Sequence, residues 1–101
     1  MIKHIVCWKI KEQAEGRNRD ENLAIFKEKL LALKGLVPGI RHLEVGINAK
    51  EAPEDNWDII LITAFDTFKD LDAYQGHPEH LKVVEFVKQV RELRSCVDFE
   101  C

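Results

Sequence analysis

The sequence predicts an α+β domain with the element order βαββαβ, and three observations support this prediction. The first is a β-rich segment at each end of the chain, at residues 2–10 and 95–100. The second is a pair of amphipathic segments whose apolar residues recur at helical spacings. The third is a central pair of β-rich segments joined by a polar loop. A chain of 101 residues has room for these elements once, so we expect a single domain spanning residues 1–101.

The first strand and the first helix each present one strongly apolar side. In the strand, residues 2–10, alternation places a histidine and three large apolar residues on one face: His4, Val6, Trp8 and Ile10. Ile5 and Cys7 lie on the other face, so both faces carry apolar groups. The helix begins near Asp20, a suitable N-cap, and ends at the segment Val37–Pro38–Gly39. Its apolar residues form one stripe that should face a core: Leu23, Phe26, Leu30 and Leu33.

Two strands with different patterns follow this helix. Residues 40–47 alternate, with the apolar Leu43, Val45 and Ile47 opposed to His42 and Glu44. A charged loop at residues 48–56 leads to the segment 57–65, which is almost entirely apolar and β-branched. We therefore expect the second strand to have one wet face and the third strand to be buried on both faces.

Helical segments and a last strand complete the chain. Asp66 or Thr67 caps a short helix that runs through Tyr74, and Gly76 interrupts it. A longer helix extends from Pro78 to about residue 93, with its apolar residues in one row: Leu81, Val84, Val87 and Val90. Residues 95–100 form the closing strand. This order predicts a ferredoxin-like fold, in which helices cover one face of an antiparallel sheet.

The apolar groups on the second face of the sheet indicate a partner. An antiparallel sheet with one face in water should alternate along every strand, and the first and third strands do not. The simplest cover in so short a chain is a second copy related by a two-fold axis, with the two sheets packed face to face. We therefore expect a homodimer, a dimeric α/β barrel.

Composition and charge exclude several classes of function. The net charge is −3 with a pI of about 5.8, and lysines and arginines are scattered among acids, so nucleic acid is not an expected partner. No apolar run of about 18 residues and no secretory signal is present, so we expect no membrane association and a cytoplasmic location. Cys7, Cys96 and Cys101 are an odd number without CxxC spacing, unlike a disulfide framework or a zinc knuckle.

The segment from Tyr74 to His80 is the most distinctive in the chain. Pro78 fits the first position of a helix, which puts His80 in the first turn. The helix dipole there disfavours a protonated imidazole, so we expect His80 to be neutral at pH 7 and available as a base. Tyr74 could donate a hydrogen bond to a developing oxyanion. His4 would approach from the first strand.

Structural roles for the same residues remain open. Tyr74 could simply pack on the core, and His77 could cap the helix that follows it. A metal site made of His4, His77 and His80 is disfavoured, because Pro78 and its neighbours already account for the segment as a helix start and no fourth ligand is evident. The sequence contains no glycine-rich phosphate loop and no nucleophile elbow, and we expect no cofactor and no metal.

Together these segments resemble the stress-responsive A/B barrel domain (Dabb) family, over nearly the whole length of the chain. The matching residues are Lys3–His4–Ile5–Val6, Val37–Pro38–Gly39–Ile40, Leu43–Glu44–Val45–Gly46, Phe65, Tyr74, His77–Pro78–Glu79–His80 and Val97–Asp98–Phe99. The resemblance implies a ferredoxin-like subunit in a dimeric α/β barrel, and most members have no assigned biochemical activity. One branch, the plant polyketide cyclases such as olivetolic acid cyclase, uses a tyrosine and a histidine at the positions of Tyr74 and His80, with a pocket histidine matching His4.

Three functions follow from the residues and the resemblance. The first is a homodimer that binds a small organic ligand between sheet and helices without catalysis. The second is a cofactor-free enzyme, polyketide cyclase-like or monooxygenase-like, that uses Tyr74 and His80 with His4. The third is a role in building a larger assembly. The residues expected to line a ligand site are Val6, Trp8, Phe26, Leu61 and His77. An enzyme needs an open cavity of roughly a few hundred cubic ångströms, which Trp8 and Phe26 would close if they filled it.

Overall fold

The computed structural model, which describes residues 1–101, contains a four-stranded antiparallel sheet and three helices. The elements in chain order are β1 (Ile2–Ile10), β2 (Gln13–Ala14), β3 (Arg17–Asn18), α1 (Arg19–Leu36), β4 (His42–Ile47), β5 (Ile59–Phe65), α2 (Phe68–Gln75), α3 (Pro78–Val90) and β6 (Arg91–Glu100). The main sheet has the strand order β4-β5-β1-β6, and β2 pairs with β3 in a separate hairpin. The predicted ferredoxin-like α+β fold is confirmed. No helix is long and apolar enough to cross a membrane.

The start of α1 differs from the sequence prediction, because Asn18 rather than Asp20 is the N-cap. The Asn18 side chain accepts a hydrogen bond from the Glu21 backbone N–H at 2.9 Å, and the Glu21 carboxylate accepts one from the Asn18 N–H at 3.0 Å. This reciprocal capping box satisfies two backbone donors that the helix leaves free. Just before it, Glu15 and Gly16 both have positive φ angles, as a two-residue type I′ hairpin turn requires. That turn forms the β2-β3 hairpin, where the sequence predicted only a polar stretch.

The helix α3 ends earlier and turns a different side to the core than predicted. It stops at Val90, and β6 begins at once with Arg91. Leu81, expected in the buried row, is 49% exposed, and the buried residues are Val83, Val87 and Val90. Steps of three residues fall short of the 3.6-residue turn, so a row built only from such steps drifts around the helix. The observed steps of four and three residues, from Val83 to Val87 to Val90, keep the buried side chains on one face of the helix.

The two faces of the sheet are unequally covered. The inner face packs on all three helices, and its β5 residues Ile59 and Leu61 are buried. On the outer face of β5, Ile60 and Ile62 are only partly buried. A single chain therefore buries only one face of this strand, and burial of the other face, which the sequence predicts, requires a partner. The segment also begins later than predicted, at Ile59.

The outer surface of the sheet carries a cluster of apolar residues, which we call the open face. Strand register places Ile5 of β1 between Ile62 of β5 and Val97 of β6. The open face consists of Ile5, Cys7, Ile60, Ile62, Leu93, Val97 and Phe99. Val97 is 61% exposed and lies on β6, where all ten residues are exposed. An isolated chain would leave this surface in water.

Candidate functional site

A cavity of about 120 Å³ lies between the inner face of the sheet and the helices. Its apolar wall includes four of the residues predicted to line a ligand site: Val6, Trp8, Phe26 and Leu61. Trp8 and Phe26 pack edge to face, with ring centroids 4.7 Å apart. They narrow the cavity to less than the few hundred cubic ångströms expected of an open active site, but they do not fill it. The cavity exceeds by several times the roughly 10–15 Å³ that one water molecule needs.

Tyr74 lies at the centre of the polar part of this wall. It is fully buried near the end of α2, and its ring contacts those of Phe65, His80 and His4 at centroid distances of 5.2, 4.5 and 6.2 Å. Burial raises the pKa of the Tyr74 phenol to about 12. The phenol therefore keeps its proton at neutral pH and acts as a hydrogen-bond donor.

His80 is held in one tautomer by the backbone. Its Nδ1 lies 2.9 Å from the carbonyl oxygen of Gln75. Because a carbonyl can only accept a hydrogen bond, Nδ1 carries the hydrogen and Nε2 of the neutral ring has a free lone pair. Burial lowers the pKa of His80, and the charges of His4 and Arg94 lower it further, against the opposing effect of the Gln75 hydrogen bond. The predicted neutral state thus has burial, rather than the helix dipole, as its main cause.

His4 enters the site from β1 and is fixed by the opposite strand. It is 3% exposed, and its Nδ1 lies 2.5 Å from a carboxylate oxygen of Asp98 on β6. The Cys96 sulfur lies 3.6 Å from the same nitrogen. On the other side, the Thr63 hydroxyl donates to the His4 backbone carbonyl at 2.9 Å. Asp98 lies 94 positions from His4 in the sequence, so only the strand register brings the two residues together.

His77 does not reach the cavity, contrary to its predicted place among the ligand-binding residues. It is the N-cap of α3, and its Nδ1 accepts a hydrogen bond from the Glu79 N–H at 3.1 Å. The structure thus brings together Tyr74, His80 and His4, and leaves His77 in the capping role that the sequence kept open.

Two buried polar side-chain atoms have no hydrogen-bond partner in the protein, and both belong to residues that line the cavity. They are the indole nitrogen Nε1 of Trp8 and the hydroxyl oxygen of Tyr74, and no other buried side-chain nitrogen or oxygen shares this state. Most buried polar groups in proteins are paired. From the sequence, Trp8 was expected only to line the ligand site, because a sequence does not show which hydrogen-bond donors the fold leaves unpaired.

Three cationic side chains also line the cavity: Lys88, Arg91 and Arg94. Lys88 pairs with Glu85 at 3.5 Å, while Arg91 and Arg94 have no carboxylate within salt-bridge distance. The sequence did not indicate this group. Lys88 lies on α3, whereas Arg91 and Arg94 lie on β6. No single helical or strand periodicity therefore places all three side chains at the same cavity.

Comparison with known proteins shows close structural relatives. A dimeric protein of unknown function with a ferredoxin-like fold from Bacteroides fragilis is 35% identical, with a TM-score of 0.82 over 99% of this chain and 95% of that one. A dimeric ferredoxin-like protein of unknown function from Thermobifida fusca is 21% identical, with a TM-score of 0.82 over 99% and 90%. The hydroxynitrile lyase from Passiflora edulis is 17% identical, with a TM-score of 0.78 over 97% and 90%. The last two likenesses show the fold alone.

The comparisons assign no specific activity to this chain. No curated protein matches its sequence. Residues 2–101 match the family described as Stress responsive A/B Barrel Domain. The match covers the β1 start with His4, the Tyr74-to-His80 segment and the closing strand with Asp98, which are the segments that carried the resemblance. The chain therefore belongs to the stress-responsive A/B barrel domain family.

Proposed function

We propose that this protein is a homodimer that binds a small organic acid in the cavity between the sheet and the helices. The observation that carries the proposal is a pair of donors without a partner in the protein, Trp8 Nε1–H and Tyr74 O–H, which belong to residues that line the cavity. A buried donor without a partner costs about 1–3 kcal/mol. A ligand oxygen that accepts from either donor would remove this cost on binding.

Charge and shape narrow the class of ligand. Arg91 and Arg94 line the cavity without carboxylate partners, which favours a ligand that carries a negative charge. The rest of the wall is apolar and includes Phe26 and Leu61, which favours a hydrocarbon body. The volume of about 120 Å³ suits one small ring or a short acyl chain, since an engineered cavity of about 150 Å³ holds benzene.

Thermal unfolding with pairs of compounds tests the ligand class. We expect benzoate and short-chain carboxylates to raise the melting temperature, and the corresponding amides to have a much smaller effect, because only the acids pair with the arginines. A ligand at about 100 times its Kd adds about 2.7 kcal/mol to the free energy of unfolding. If no acid in the series raises the melting temperature, the proposal fails.

The two tryptophans provide a matched pair of variants for the same assay. Trp8→Phe removes the unpaired N–H from the cavity wall and should weaken the stabilisation by carboxylates. Trp57→Phe changes a 39% exposed tryptophan outside the cavity and should leave the stabilisation by carboxylates unchanged. Equal losses in both variants would place binding elsewhere and overturn the assignment of the cavity.

The open face supports the dimeric part of the proposal. It is an extended apolar surface, and the 35% identical protein from Bacteroides fragilis is described as dimeric. Beside it lies a surface depression of about 430 Å³ lined by Gly46, Trp57 and Ile60 among others, which offers room for side chains of a partner. Sheets of this kind pack well face to face.

Sedimentation velocity tests the interface. Val97→Glu places a charge on the open face, where burying an unpaired carboxylate is unfavourable by several kcal/mol, and should give monomers. Leu36→Glu introduces the same charge at an exposed position of α1 and should leave a dimer. A monomeric wild-type protein, or a dimeric Val97→Glu variant, would contradict this interface.

A second candidate function is acid–base catalysis without a cofactor, and the geometry of His80 favours it. The free Nε2 lone pair belongs to a neutral imidazole whose ring lies 4.5 Å from that of Tyr74, centroid to centroid. Such a pair can remove a proton from an acidic carbon while the phenol donates a hydrogen bond to the developing enolate oxygen. His4 adds a second imidazole, whose centroid lies 6.2 Å from that of the Tyr74 ring.

Hydrogen–deuterium exchange at carbon tests this candidate. Small keto acids in heavy water should lose their α-proton signals faster with the wild-type protein than with His80→Asn, in which the amide can keep the hydrogen bond to Gln75 but has no basic lone pair. Exchange at the rate of the buffer alone, or equal rates with both proteins, would leave binding as the function and exclude His80 as a base.

A further inference from the structure

We propose that His4, Cys96 and Asp98 form a binding site for a divalent transition-metal ion, with Zn²⁺ as the preferred ion. The three side chains supply one nitrogen, one sulfur and one oxygen, all within a few ångströms of one another. The distances are 2.5 Å between His4 Nδ1 and the Asp98 oxygen, 3.6 Å between that nitrogen and the Cys96 sulfur, and 3.5 Å between the sulfur and the oxygen.

Two of these three distances fit a tetrahedral zinc centre. Zinc bonds of about 2.3 Å to sulfur and about 2.0 Å to nitrogen or oxygen, at tetrahedral angles, put ligand atoms about 3.5 Å apart where sulfur is involved and about 3.3 Å apart otherwise. Both sulfur distances already match. Only the nitrogen and the oxygen must separate, by about 0.8 Å, when the metal replaces the hydrogen bond between them. The Asp98 side chain is 34% exposed and is free to make this adjustment.

The sheet holds the three residues in place before a metal arrives. His4 on β1 is directly opposite Asp98 on β6, and Val6, two residues further along, is opposite Cys96. Alternation therefore puts all three side chains on the same face of two hydrogen-bonded strands. His4 is also fixed by the Thr63 hydroxyl at its carbonyl and by its contact with the Tyr74 ring. Little conformational entropy is lost when such a site binds an ion.

The donor set selects the class of metal. A thiolate and a carboxylate together carry two negative charges, which neutralise a divalent cation. Sulfur and imidazole ligands suit zinc and cobalt, whereas magnesium and calcium require oxygen ligands. The Cys96 thiol must lose its proton to bind as a thiolate, so metal binding releases a proton. Three protein ligands leave a fourth position for water.

Zinc titration of the chelator-treated full-length protein tests the site. We expect one ion per chain by calorimetry, and Co²⁺ should give the near-ultraviolet charge-transfer band of a cobalt–thiolate bond. Cys96→Ser should abolish that band, and both Cys96→Ser and Asp98→Asn should weaken zinc binding at least tenfold, since even indirect supports of metal sites are worth about 10–100-fold. Both positions are exposed, so these variants should fold.

The other two cysteines are matched controls. Cys7 lies on the opposite face of the sheet and Cys101 is at the chain end, so Cys7→Ser and Cys101→Ser should leave the band and the affinity unchanged. Loss of zinc binding in either control, or equal binding of zinc by Cys96→Ser, would overturn the proposal. So would the absence of saturable zinc binding, or binding of Mg²⁺ at equal affinity.

A substitution of Arg94 distinguishes this metal site from the proposed organic acid site. Arg94 lies two residues before Cys96 on β6 and therefore on the same face of the sheet. Its positive charge opposes a cation bound there. Arg94→Gln should therefore tighten zinc binding, while it weakens stabilisation by carboxylates. Weaker zinc binding in Arg94→Gln would contradict the placement of the ion beside this residue.

Discussion

Replacing Tyr74 with phenylalanine should make the ligand-free protein more stable. The substitution removes only the hydroxyl and keeps the ring in its contacts with Phe65 and His80. In the native state this hydroxyl is buried and has no hydrogen-bond partner, whereas in the unfolded state water solvates it. An unpaired buried polar group costs about 1–3 kcal/mol. Since Tyr74 borders a cavity, we take the lower end, a gain of about 1 kcal/mol.

A buried hydroxyl with a partner provides the control. Thr63 is fully buried, and its hydroxyl donates to the His4 carbonyl at 2.9 Å. Thr63→Val removes this hydroxyl at nearly constant volume and should lower the free energy of unfolding by about 0.5–1.5 kcal/mol. Removing a buried hydroxyl should therefore raise the free energy of unfolding at Tyr74 and lower it at Thr63. A general effect of core substitution would have the same sign at both positions.

Calorimetric melting at one fixed protein concentration measures both variants. A change of 1 kcal/mol shifts the melting temperature of a domain of this size by about 4–8 °C, so Tyr74→Phe should melt higher by this amount and Thr63→Val lower. Tyr74→Phe should also respond less to carboxylates. A Tyr74→Phe variant that melts below the wild type would refute the reasoning, because it would show that the hydroxyl has a partner.

Two further predictions concern pH and helix capping. Burial in the folded chain lowers the pKa of His80 from 6.5. At a pH between 6.5 and this lowered pKa, the unfolded chain binds a proton at His80 that the folded chain does not, so the free energy of unfolding falls as the pH falls. Melting curves from about pH 7 to about pH 5 should show this loss in the wild type and a smaller one in His80→Asn; identical profiles would contradict it. Asn18→Ala should cost about 1 kcal/mol by urea unfolding because it breaks the capping box, and Asp20→Ala clearly less, since Asp20 only interacts with the helix dipole. A larger loss of stability in Asp20→Ala than in Asn18→Ala would show that Asp20 is the N-cap, as the sequence predicted.

The main elements of the fold were predictable because their signals are local. The alternation in β1 and the spacing of Leu23, Phe26, Leu30 and Leu33 follow directly from the geometry of strands and helices. The errors arose where two local signals competed. Asn18 and Asp20 are both good N-caps, and the choice between them depends on Glu21 standing three residues after Asn18. The boundary at Val90 depends on β6 pairing with β1, which is information from the far end of the chain.

The candidate site was predictable only in part. Tyr74 and His80 are close in sequence, and their proximity follows from the short break between α2 and α3. The partner of His4 was not predictable, because Asp98 reaches it through a strand register that no local pattern fixes. The same holds for Cys96, whose position beside His4 depends on the same strand register.

The unpaired donors connect the stability of this fold to its proposed function. Two such groups, with no water or ligand to accept from them, would together cost about 2–6 kcal/mol, which is a large part of the 5–15 kcal/mol that stabilises a typical domain. A ligand that accepts from Trp8 Nε1–H or from the Tyr74 hydroxyl recovers that free energy only when it occupies the cavity, so the same groups that weaken the empty protein strengthen the complex. This predicts a specific coupling: Tyr74→Phe should gain in stability when empty and lose in affinity. A variant that gained stability and kept full affinity would separate the two properties and remove Tyr74 from the binding site.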